Sequence, residues 1–425
     1  MTQTLQFNLV ACGDDHDPTA LPVDQARQRI LDTITPLGAN ATERLDLLNC
    51  LDRVLAEDIV ATSNVPPHMN SAMDGYALTA TDIPINTTRE LRVVGSSFAG
   101  HPFQEVCGSG ECVRIMTGGL VPNGLDTVIP QESVQLLPEN YIRIDGRTRS
   151  GDNVRLAGED LQIGQTVLSR GRRITAADLG LIASLGIGEV AVKRYLKVAF
   201  FSTGDELCSI DTPLMPGQIY DSNRYTLFGM LSHQHCQIKD FGVVRDDPAQ
   251  LRSTLLAAAD GYDVVIATGG VSVGEADYVR DVLAELGSIA FWKVAMKPGR
   301  PLTFGYLRQA LFFGLPGNPV AVMVNFSQFV QPALKRLAGE ISHPPLMLNA
   351  VTTSTLKKRA GRTEYQRGIL SQAEDGSLIV TKTGNQGSGI LLSMSRANCF
   401  IVLNAQQTHI DVGEVVMVQP FVDCL

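Results

Sequence analysis

Residues 263–287 read DVVIATGGVSVGEADYVRDVLAELG, and this stretch indicates how the central part of the chain folds. The apolar run 264–267 predicts a buried strand that stops at two adjacent glycines. Asp277 stands at the expected N-cap of a helix that Gly287 ends. Free backbone N–H groups and the helix dipole at such a turn favour an anion. The turn alone is weak support for a site, because most such turns are only tight connections.

The composition narrows the class of protein. The chain has 425 residues, 44 acidic and 35 basic side chains, and a formal net charge of -9. This charge, without a Lys/Arg-rich run, argues against nucleic-acid binding, and no apolar stretch is long enough to span a membrane. Eight cysteines without a CxxC pair or zinc spacing are typical of reduced thiols in a cytoplasmic protein. The polar residues 1–20 are expected to be a loose leader, since they lack the basic start of a secretion signal.

The remaining chain changes its periodicity several times. Residues 21–62 and 146–190 mix helical and turn-rich stretches and predict one N-terminal domain. Short apolar runs separated by turn residues predict an inserted β domain at 63–145. Strands alternate with helices over 191–340, which predicts right-handed crossovers and a mostly parallel sheet. Residues 341–425 return to strands and predict a small barrel or sandwich.

The predicted fold class is therefore multidomain α/β plus β. A central, mostly parallel α/β sheet domain is accompanied by an inserted small β domain and a C-terminal β-barrel-like domain.

Charged loops follow the predicted parallel strands, at the sheet edge where ligands of open α/β sheets bind. Cationic side chains there can hold phosphate or another oxyanion, and carboxylates can hold Mg²⁺. The cations are Lys293, Lys297 and Arg300, and the acids are Glu206, Asp246 and Asp277. Singly, each has an ordinary explanation, such as helix capping or a solvated surface charge. Their convergence on one edge favours a site.

Several standard nucleotide and hydrolase motifs are absent from the sequence. It has no GxxxxGK[ST], no GxGxxG after the first α/β strand and no GxSxG. A Walker-type NTPase, a standard dinucleotide enzyme and an α/β-hydrolase are therefore not supported.

Four motifs occur together in the chain: NSAMDGYA at 70–77, ATGGVSVGEADY at 267–278, MKPGRP at 296–301 and GLPGNPV at 314–320. In combination they resemble the molybdopterin molybdenumtransferase family, which includes the E domain of gephyrin and its plant counterpart. The resemblance runs from about residue 20 to the C-terminus.

The resemblance implies an elongated homodimer, with 21–62 and 146–190 as a linker and dimerisation domain and 191–340 as the molybdopterin-binding domain. It implies transfer of molybdenum from molybdate to adenylylated molybdopterin, with release of AMP and participation of Mg²⁺. Molybdopterin adenylyltransferase and downstream cofactor-processing enzymes are the implied pathway partners.

The resemblance also assigns site residues by motif. It implies catalytic roles for Asp74, Asp160, Asp246, Lys293 and Lys297, and metal binding by Glu206 and Asp277. The implied substrate-binding residues are Thr117, Arg155, Thr203, Gly269, Gly270, Ser272, Gly274, Arg300, Gly317, Asn318, Arg362 and Ser388.

Two departures from the family pattern bear on these assignments. Gly389-Ile390 stands where many members have Ser-Arg, and His68-Met69 stands where the family commonly has Phe-Asp. The second leaves Asp74 in place. On physical grounds alone Asp74 is equally well explained as a turn residue before Gly75.

Two other functions stay open at this stage. A molybdopterin adenylyltransferase would share the α/β segment but would not need residues 70–77 or two extra β domains. A non-catalytic molybdopterin-binding scaffold, comparable to gephyrin binding a partner's peptide, would not need the lysines and carboxylates that this chain retains.

Overall fold

The computed structural model describes residues 19–269, 277–341 and 343–421. Two compact units are present: Glu43–Val192 forms one, and the described parts of Met1–Thr42 and Lys193–Leu425 form the other. Within the described ranges, none of the helices combines the length and apolar character of a membrane-spanning segment. The four-part division expected from the sequence stays a prediction.

The unit Glu43–Val192 is built on a six-stranded sheet. Its strands lie in the order Thr127–Pro130, Gly75–Leu78, Glu111–Ile115, Thr88–Ser97, Tyr141–Asp145 and Gln135–Leu137. Successive side chains of a strand point to opposite faces. Accordingly, Tyr76 and Leu78 enter one apolar cluster and Ala77 enters another. Both faces of the sheet are therefore covered, and the predicted β insert is confirmed.

Shorter elements complete this unit. Ile59–Val60 pairs with Thr166–Leu168, and Asn70–Ser71 pairs with Val154–Arg155. The remaining elements are the strands Thr42–Asp46 and Glu189–Lys193, the short helical turns Leu47–Asn49, Ala80–Asp82 and Gln131–Ser133, and the helix Ala176–Ser184.

The helix Ala176–Ser184 begins with a capping box, as its sequence predicts. The Asp178 N–H donates to Thr175 Oγ1, and the Thr175 N–H donates to Asp178 Oδ2 at 2.9 Å. Burial alone would raise the pKa of Asp178, but hydrogen bonds from Arg172 and Thr175 outweigh it and lower the pKa. The ionised side chain therefore stabilises this helix start.

Replacement of Asp178 by alanine is expected to cost about 1–2 kcal/mol of unfolding free energy, because the capping box is lost. Since the folded pKa is lowered, the contribution is present above the unfolded pKa of about 3.9 and is lost as the pH falls through the folded value. Urea denaturation at neutral and acidic pH measures both effects. The exposed Glu189 provides a control: Glu189→Ala should cost less than about 0.5 kcal/mol at either pH.

The second unit contains the predicted mostly parallel α/β sheet. Its strands lie in the order Gln237–Val244, Lys197–Thr203, Val264–Gly269, Ala310–Leu315, Pro301–Leu307 and Gly287–Lys293. Only Pro301–Leu307 runs against the others. The helices of this part are Val23–Thr33, Ser222–His233, Pro248–Ala259 and Asp277–Leu286, and a continuous helix formed by Pro319–Asn325, the π-helical Phe326–Val330 and Gln331–Leu337.

Two strands of this sheet were not predicted from the sequence. Gly287 was expected only to end a helix, but it also begins the strand Gly287–Lys293 directly. A Cβ at this position would collide with the Tyr306 carbonyl oxygen of the neighbouring strand. The segment 293–301, expected among the loops, starts at the end of one strand and leads into Pro301–Leu307.

The C-terminal part of this unit closes into a five-stranded barrel, which decides between the predicted barrel and sandwich. Its order is Thr363–Gln372, Leu378–Lys382, Leu348–Thr352, Val415–Pro420 and Cys399–Leu403, and the last pairs with the first. The helix Leu391–Arg396 and the strands Leu356–Lys357 and His409–Ile410 flank it. Met296–Lys297 adds a short parallel strand to Thr363–Gln372. Two further short strands are Leu207–Cys208 and Ile219–Tyr220, and Ala39–Ala41 is a 3₁₀ turn.

Candidate active site

The α/β sheet has a crevice where the order of its strands reverses. Lys197–Thr203 lies between Gln237–Val244 and Val264–Gly269, the next two strands of this sheet along the chain, so the strand order reverses at Lys197–Thr203. Gly269 has φ +86°, and a Cβ there would collide with the Thr203 carbonyl oxygen. A Cβ on Gly317 would lie 3.6 Å from the Gly269 Cα. Three predicted substrate-binding residues therefore meet in this crevice.

Replacement of Gly269 by alanine is expected to destabilise the protein by about 2–4 kcal/mol, because a left-handed backbone and a backbone collision combine. Gly261 is a matched control, since it has the same φ of +86° but open space around a Cβ. Gly261→Ala should cost only about 1–2 kcal/mol. Thermal unfolding of both variants makes the comparison, and equal losses would mean that the close approach to Thr203 does not matter.

Buried polar side chains hold the loop that contains Gly317. Asn223 Nδ2 donates to the Gly317 carbonyl oxygen at 2.7 Å and to Thr268 Oγ1 at 3.2 Å. Thr268 Oγ1 donates to the Pro316 carbonyl oxygen at 3.0 Å. Asn223 and Thr268 are both buried. Sequence reasoning missed Asn223, although it follows Asp221-Ser222 at the start of a helix.

The acidic side of the crevice is formed by the loops after the first two α/β strands. Thr203 Oγ1 donates to Asp246 Oδ1 at 2.7 Å. Asp247, rather than Asp246, caps the next helix by accepting the Gln250 N–H at 2.7 Å. Helix capping therefore does not explain Asp246. The Glu206 carboxylate lies over Gly204, where a Cβ would collide with it.

A preformed cation site is not seen in the described part of the chain, where no three acidic, histidine or cysteine groups cluster. The Asp277 side chain, and Gly270, Ser272 and Gly274, lie outside what the structure describes. Their assigned roles stay predictions.

A cavity of about 860 Å³ lies between the α/β domain and the barrel of the same unit. The α/β side contributes Lys297 and the loop with Gly317 and Asn318, and the barrel side contributes Ser388. This size and mixed lining are typical of a small-molecule site. The described lining residues that sequence reasoning missed include Thr355, Lys357, Glu364, Gln366, Lys382, Asn385 and Gln386.

Positive charge is concentrated around this cavity. Lys297, Lys357 and Lys382 line it. Burial lowers the pKa of Lys358, the Glu364 carboxylate opposes this shift, and the charges of Arg362 and Lys297 add to it. Arg362 and Lys297 therefore both lie within electrostatic range of Lys358. Lys357 and Lys382 were missed because a lone lysine outside a motif looks like a solvated surface charge.

Lys293 and Arg300 occupy a different position from Lys297. Lys293 is the last residue of the outermost strand, two strands away from Ala310–Leu315 and hence about 10 Å to the side. The Val294 N–H donates to the Arg300 carbonyl oxygen at 2.7 Å. Among the described lining residues of the cavity neither occurs.

A buried arginine fixes the barrel loop that carries Ser388. Arg367 Nη2 donates to the Gly387 carbonyl oxygen at 2.9 Å, and Arg367 Nε donates to Ser393 Oγ at 3.0 Å. Burial lowers the pKa of Arg367 to about 10, with Glu364 opposing the shift. The side chain therefore keeps its charge at neutral pH. The Ser388 carbonyl oxygen accepts the Val320 N–H at 3.1 Å, which links this loop to the helix after Asn318.

The unit Glu43–Val192 brings three further predicted residues onto neighbouring segments. Thr117 donates its N–H and its Oγ1 hydroxyl to Asp74 Oδ1, both at 2.8 Å. These bonds lower the pKa of Asp74. Arg155 is paired with Asn70, four residues before Asp74, and its side chain is exposed. Asp160 is also exposed and lies farther along the chain, where its N–H donates to the Val65 carbonyl oxygen at 2.9 Å.

Models of known families match three successive parts of the chain. Residues 21–186 match the MoeA N-terminal region (domain I and II), 199–336 match a probable molybdopterin binding domain, and 349–421 match the MoeA C-terminal region (domain IV). A crystal structure of the molybdopterin biosynthesis moeA protein from Pyrococcus horikoshii is similar, with a TM-score of 0.82 and 29% identity. The similarity covers 95% of this chain and 100% of that one.

Curated relatives agree with these matches. The chain is 44% identical to the molybdopterin molybdenumtransferase of Haemophilus influenzae over 94% of this chain and 98% of the relative. It is 35% identical to the protein of the same name from Nostoc over 95% and 94% of the two chains. Gephyrin of Dictyostelium discoideum is 32% identical over 93% of this chain and 61% of gephyrin. The chain therefore belongs to the molybdopterin molybdenumtransferase family.

Proposed function

We propose that this protein transfers molybdenum from molybdate to adenylylated molybdopterin and releases AMP. Its family makes it an enzyme of molybdenum cofactor biosynthesis. The observation that supports the proposed reaction is the lysine-lined cavity between the barrel and the α/β loop that contains Gly317 and Asn318.

The charges of the two substrates explain why such a cavity suits the reaction. Molybdate is a dianion, and adenylylated molybdopterin is also anionic. Two anions repel each other, so the enzyme must neutralise both and hold them in contact. Lys297, Lys357 and Lys382 provide compact positive charges, and the loop of Gly317 and Asn318 permits close approach of a phosphate to the backbone.

Substrate binding is proposed to span the crevice and the cavity, because the loop with Gly317 borders both. Thr203, Gly269 and Gly317 would hold the phosphate part, with Gly270, Ser272 and Gly274 as further predicted contacts. Lys297, Arg362 and Ser388 would face molybdate on the barrel side. Lys293 and Arg300 would contribute from the edge of the sheet.

Mg²⁺ is proposed as the resident metal ion. The donor set fits this ion, because Mg²⁺ takes one or two carboxylates and completes its octahedron with phosphate oxygens and water. Asp246 and Glu206 stand on adjacent loops at the crevice, and Asp277 is the further predicted ligand. When bound, Mg²⁺ would neutralise charge on the phosphates.

Asp74, Thr117, Arg155 and Asp160 are proposed as further active-site residues, on the strength of the family resemblance. Asp74 would orient the metal ion or a lysine, or carry a proton. The lowered pKa of Asp74 supports an ionised carboxylate, as orienting a cation requires. We also propose a cytoplasmic homodimer that acts after molybdopterin adenylyltransferase and before downstream cofactor-processing enzymes, on the strength of the family resemblance.

An assay with two substrate pairs tests the proposed reaction. Purified protein is given either ATP with molybdopterin, or molybdate with adenylylated molybdopterin, with and without Mg²⁺. We expect consumption of the second pair only, with AMP release that requires Mg²⁺. Consumption of the first pair would identify an adenylyltransferase, and consumption of neither would favour a binding scaffold.

A further inference from the structure

Glu364 contributes a carboxylate to the wall of the cavity whose other described charged lining residues are lysines. Of the described residues that line the cavity, it is the only acidic one. Its side chain is 6% exposed, whereas that of Lys297 is 51% exposed. Lys297 Nζ lies 3.5 Å from Glu364 Oε1 and 3.4 Å from Oε2. A buried acid therefore faces an accessible lysine at the site proposed for an anionic substrate.

The backbone places these two side chains opposite each other. Met296–Lys297 pairs in parallel with the barrel strand Thr363–Gln372, with Lys297 opposite Glu364. The Thr363 N–H donates to the Ala295 carbonyl oxygen at 2.9 Å and continues this pairing. The juxtaposition thus follows from strand register, which joins the α/β domain to the barrel at this point.

Glu364 is anchored on the barrel side of the pair. Gln366 Nε2 donates to Glu364 Oε1 at 3.0 Å and to the Lys357 carbonyl oxygen at 3.3 Å. Both Glu364 and Gln366 are buried. Lys297, by contrast, reaches into the cavity from a two-residue strand. The carboxylate is the fixed partner, and the ammonium group is the one whose position it determines.

The pair is looser than a tight ionic hydrogen bond, in which nitrogen and oxygen lie about 2.7–2.9 Å apart. An incoming oxyanion can therefore compete for the ammonium group. The same carboxylate also repels an anion in the cavity, so it lowers ground-state affinity. A group that weakens substrate binding is useful to an enzyme only when it improves the reacting geometry.

We propose that Glu364 is a positioning residue that holds Lys297 Nζ at the cavity wall and acts on the reaction through this lysine. The inference rests on the proposed function. The proposal predicts a result that a merely structural carboxylate would not give: loss of Glu364 should strengthen molybdate binding and weaken turnover together.

The test uses the full chain as Glu364→Gln, Lys297→Ala and the double variant. Molybdate affinity is measured by isothermal titration calorimetry at two salt concentrations. The constants kcat and KM are measured in steady-state assays with adenylylated molybdopterin. We expect Glu364→Gln to tighten molybdate binding about threefold to tenfold, more at low salt, and to lower kcat about tenfold. In the Lys297→Ala background, Glu364→Gln should change kcat by less than about twofold.

Glu364→Asp serves as a second variant if the glutamine protein does not fold. It keeps the charge but withdraws it from Lys297, so kcat should fall without tighter molybdate binding. Unchanged or weaker molybdate binding by Glu364→Gln, or an equal kcat loss with and without Lys297, would overturn the proposal. Absence of turnover in the unsubstituted protein would count against the proposed function instead, and the calorimetric comparison would still test whether Glu364 opposes molybdate binding.

Discussion

Replacement of Lys297 by alanine is expected to lower kcat/KM for molybdenum transfer by about 10²–10³-fold, because a fixed cation is removed from the place where the two anionic substrates are proposed to meet. Lys297 is half exposed and lines the cavity, so its loss removes charge without opening the apolar core. Steady-state assays with molybdate and adenylylated molybdopterin measure the effect. Thermal unfolding should show a modest loss of stability, because Glu364 loses its counter-charge but keeps the hydrogen bond from Gln366.

Two further variants make the Lys297 result specific. Lys297→Arg keeps the charge but replaces a compact ammonium group by a planar fork, so it should recover only part of the activity. Lys239→Ala removes an exposed lysine from the strand Gln237–Val244 of the same sheet and should leave kcat/KM unchanged. Equal losses in Lys239→Ala and Lys297→Ala would show that general surface charge, rather than the cavity lysine, matters.

Replacement of Asp74 by alanine is expected to reduce molybdenum transfer about 100-fold or more, because the carboxylate is proposed to orient a metal ion or a lysine, or to carry a proton. Asp74→Asn separates this role from that of a turn residue. The asparagine oxygen can still accept the Thr117 N–H and hydroxyl, so the turn before Gly75 should persist while the charge is lost. A fully active Asp74→Asn would leave Asp74 as a turn residue only.

The pH profile gives an independent check on Asp74. Its pKa is lowered by the backbone and side-chain hydrogen bonds from Thr117, so the acidic limb of kcat/KM should lie below the pH of an ordinary aspartate. Thr117→Val removes the hydroxyl donor and keeps the backbone one. The acidic limb should then move to higher pH, and a limb that does not move would mean that Asp74 does not control it.

Much of the secondary structure could be predicted from local signals. Helix starts depend on residues close together in the chain and can therefore be predicted from the sequence. Examples are the capping box of Thr175 and Asp178 and the helix start at Asp247-Pro248. The strands Lys197–Thr203, Val264–Gly269 and Ala310–Leu315 contain continuous apolar runs and are equally visible. The strand Gly287–Lys293 was not predicted. It begins at a glycine because a side chain there would collide with the Tyr306 carbonyl oxygen, and no local pattern shows this contact.

The candidate site likewise contains residues that could be predicted from the sequence and residues that could not. Motif residues such as Lys297, Gly317 and Ser388 could be predicted, and the structure gathers them around one cavity. Lys357, Glu364 and Lys382 carry no motif and become notable only when the barrel wall is assembled. Asn223 likewise gains its role from a carbonyl oxygen on a loop 94 residues away.

By itself, the sequence determined most of the element types, the parallel sheet and the family, because the spacing of apolar residues, helix capping and short motifs are local properties. The choice of a closed barrel and the meeting of Lys297 with Glu364 were decided only by tertiary structure. Both depend on strand register between distant segments, since pairing at one register rather than the next decides which charged side chains share a cavity.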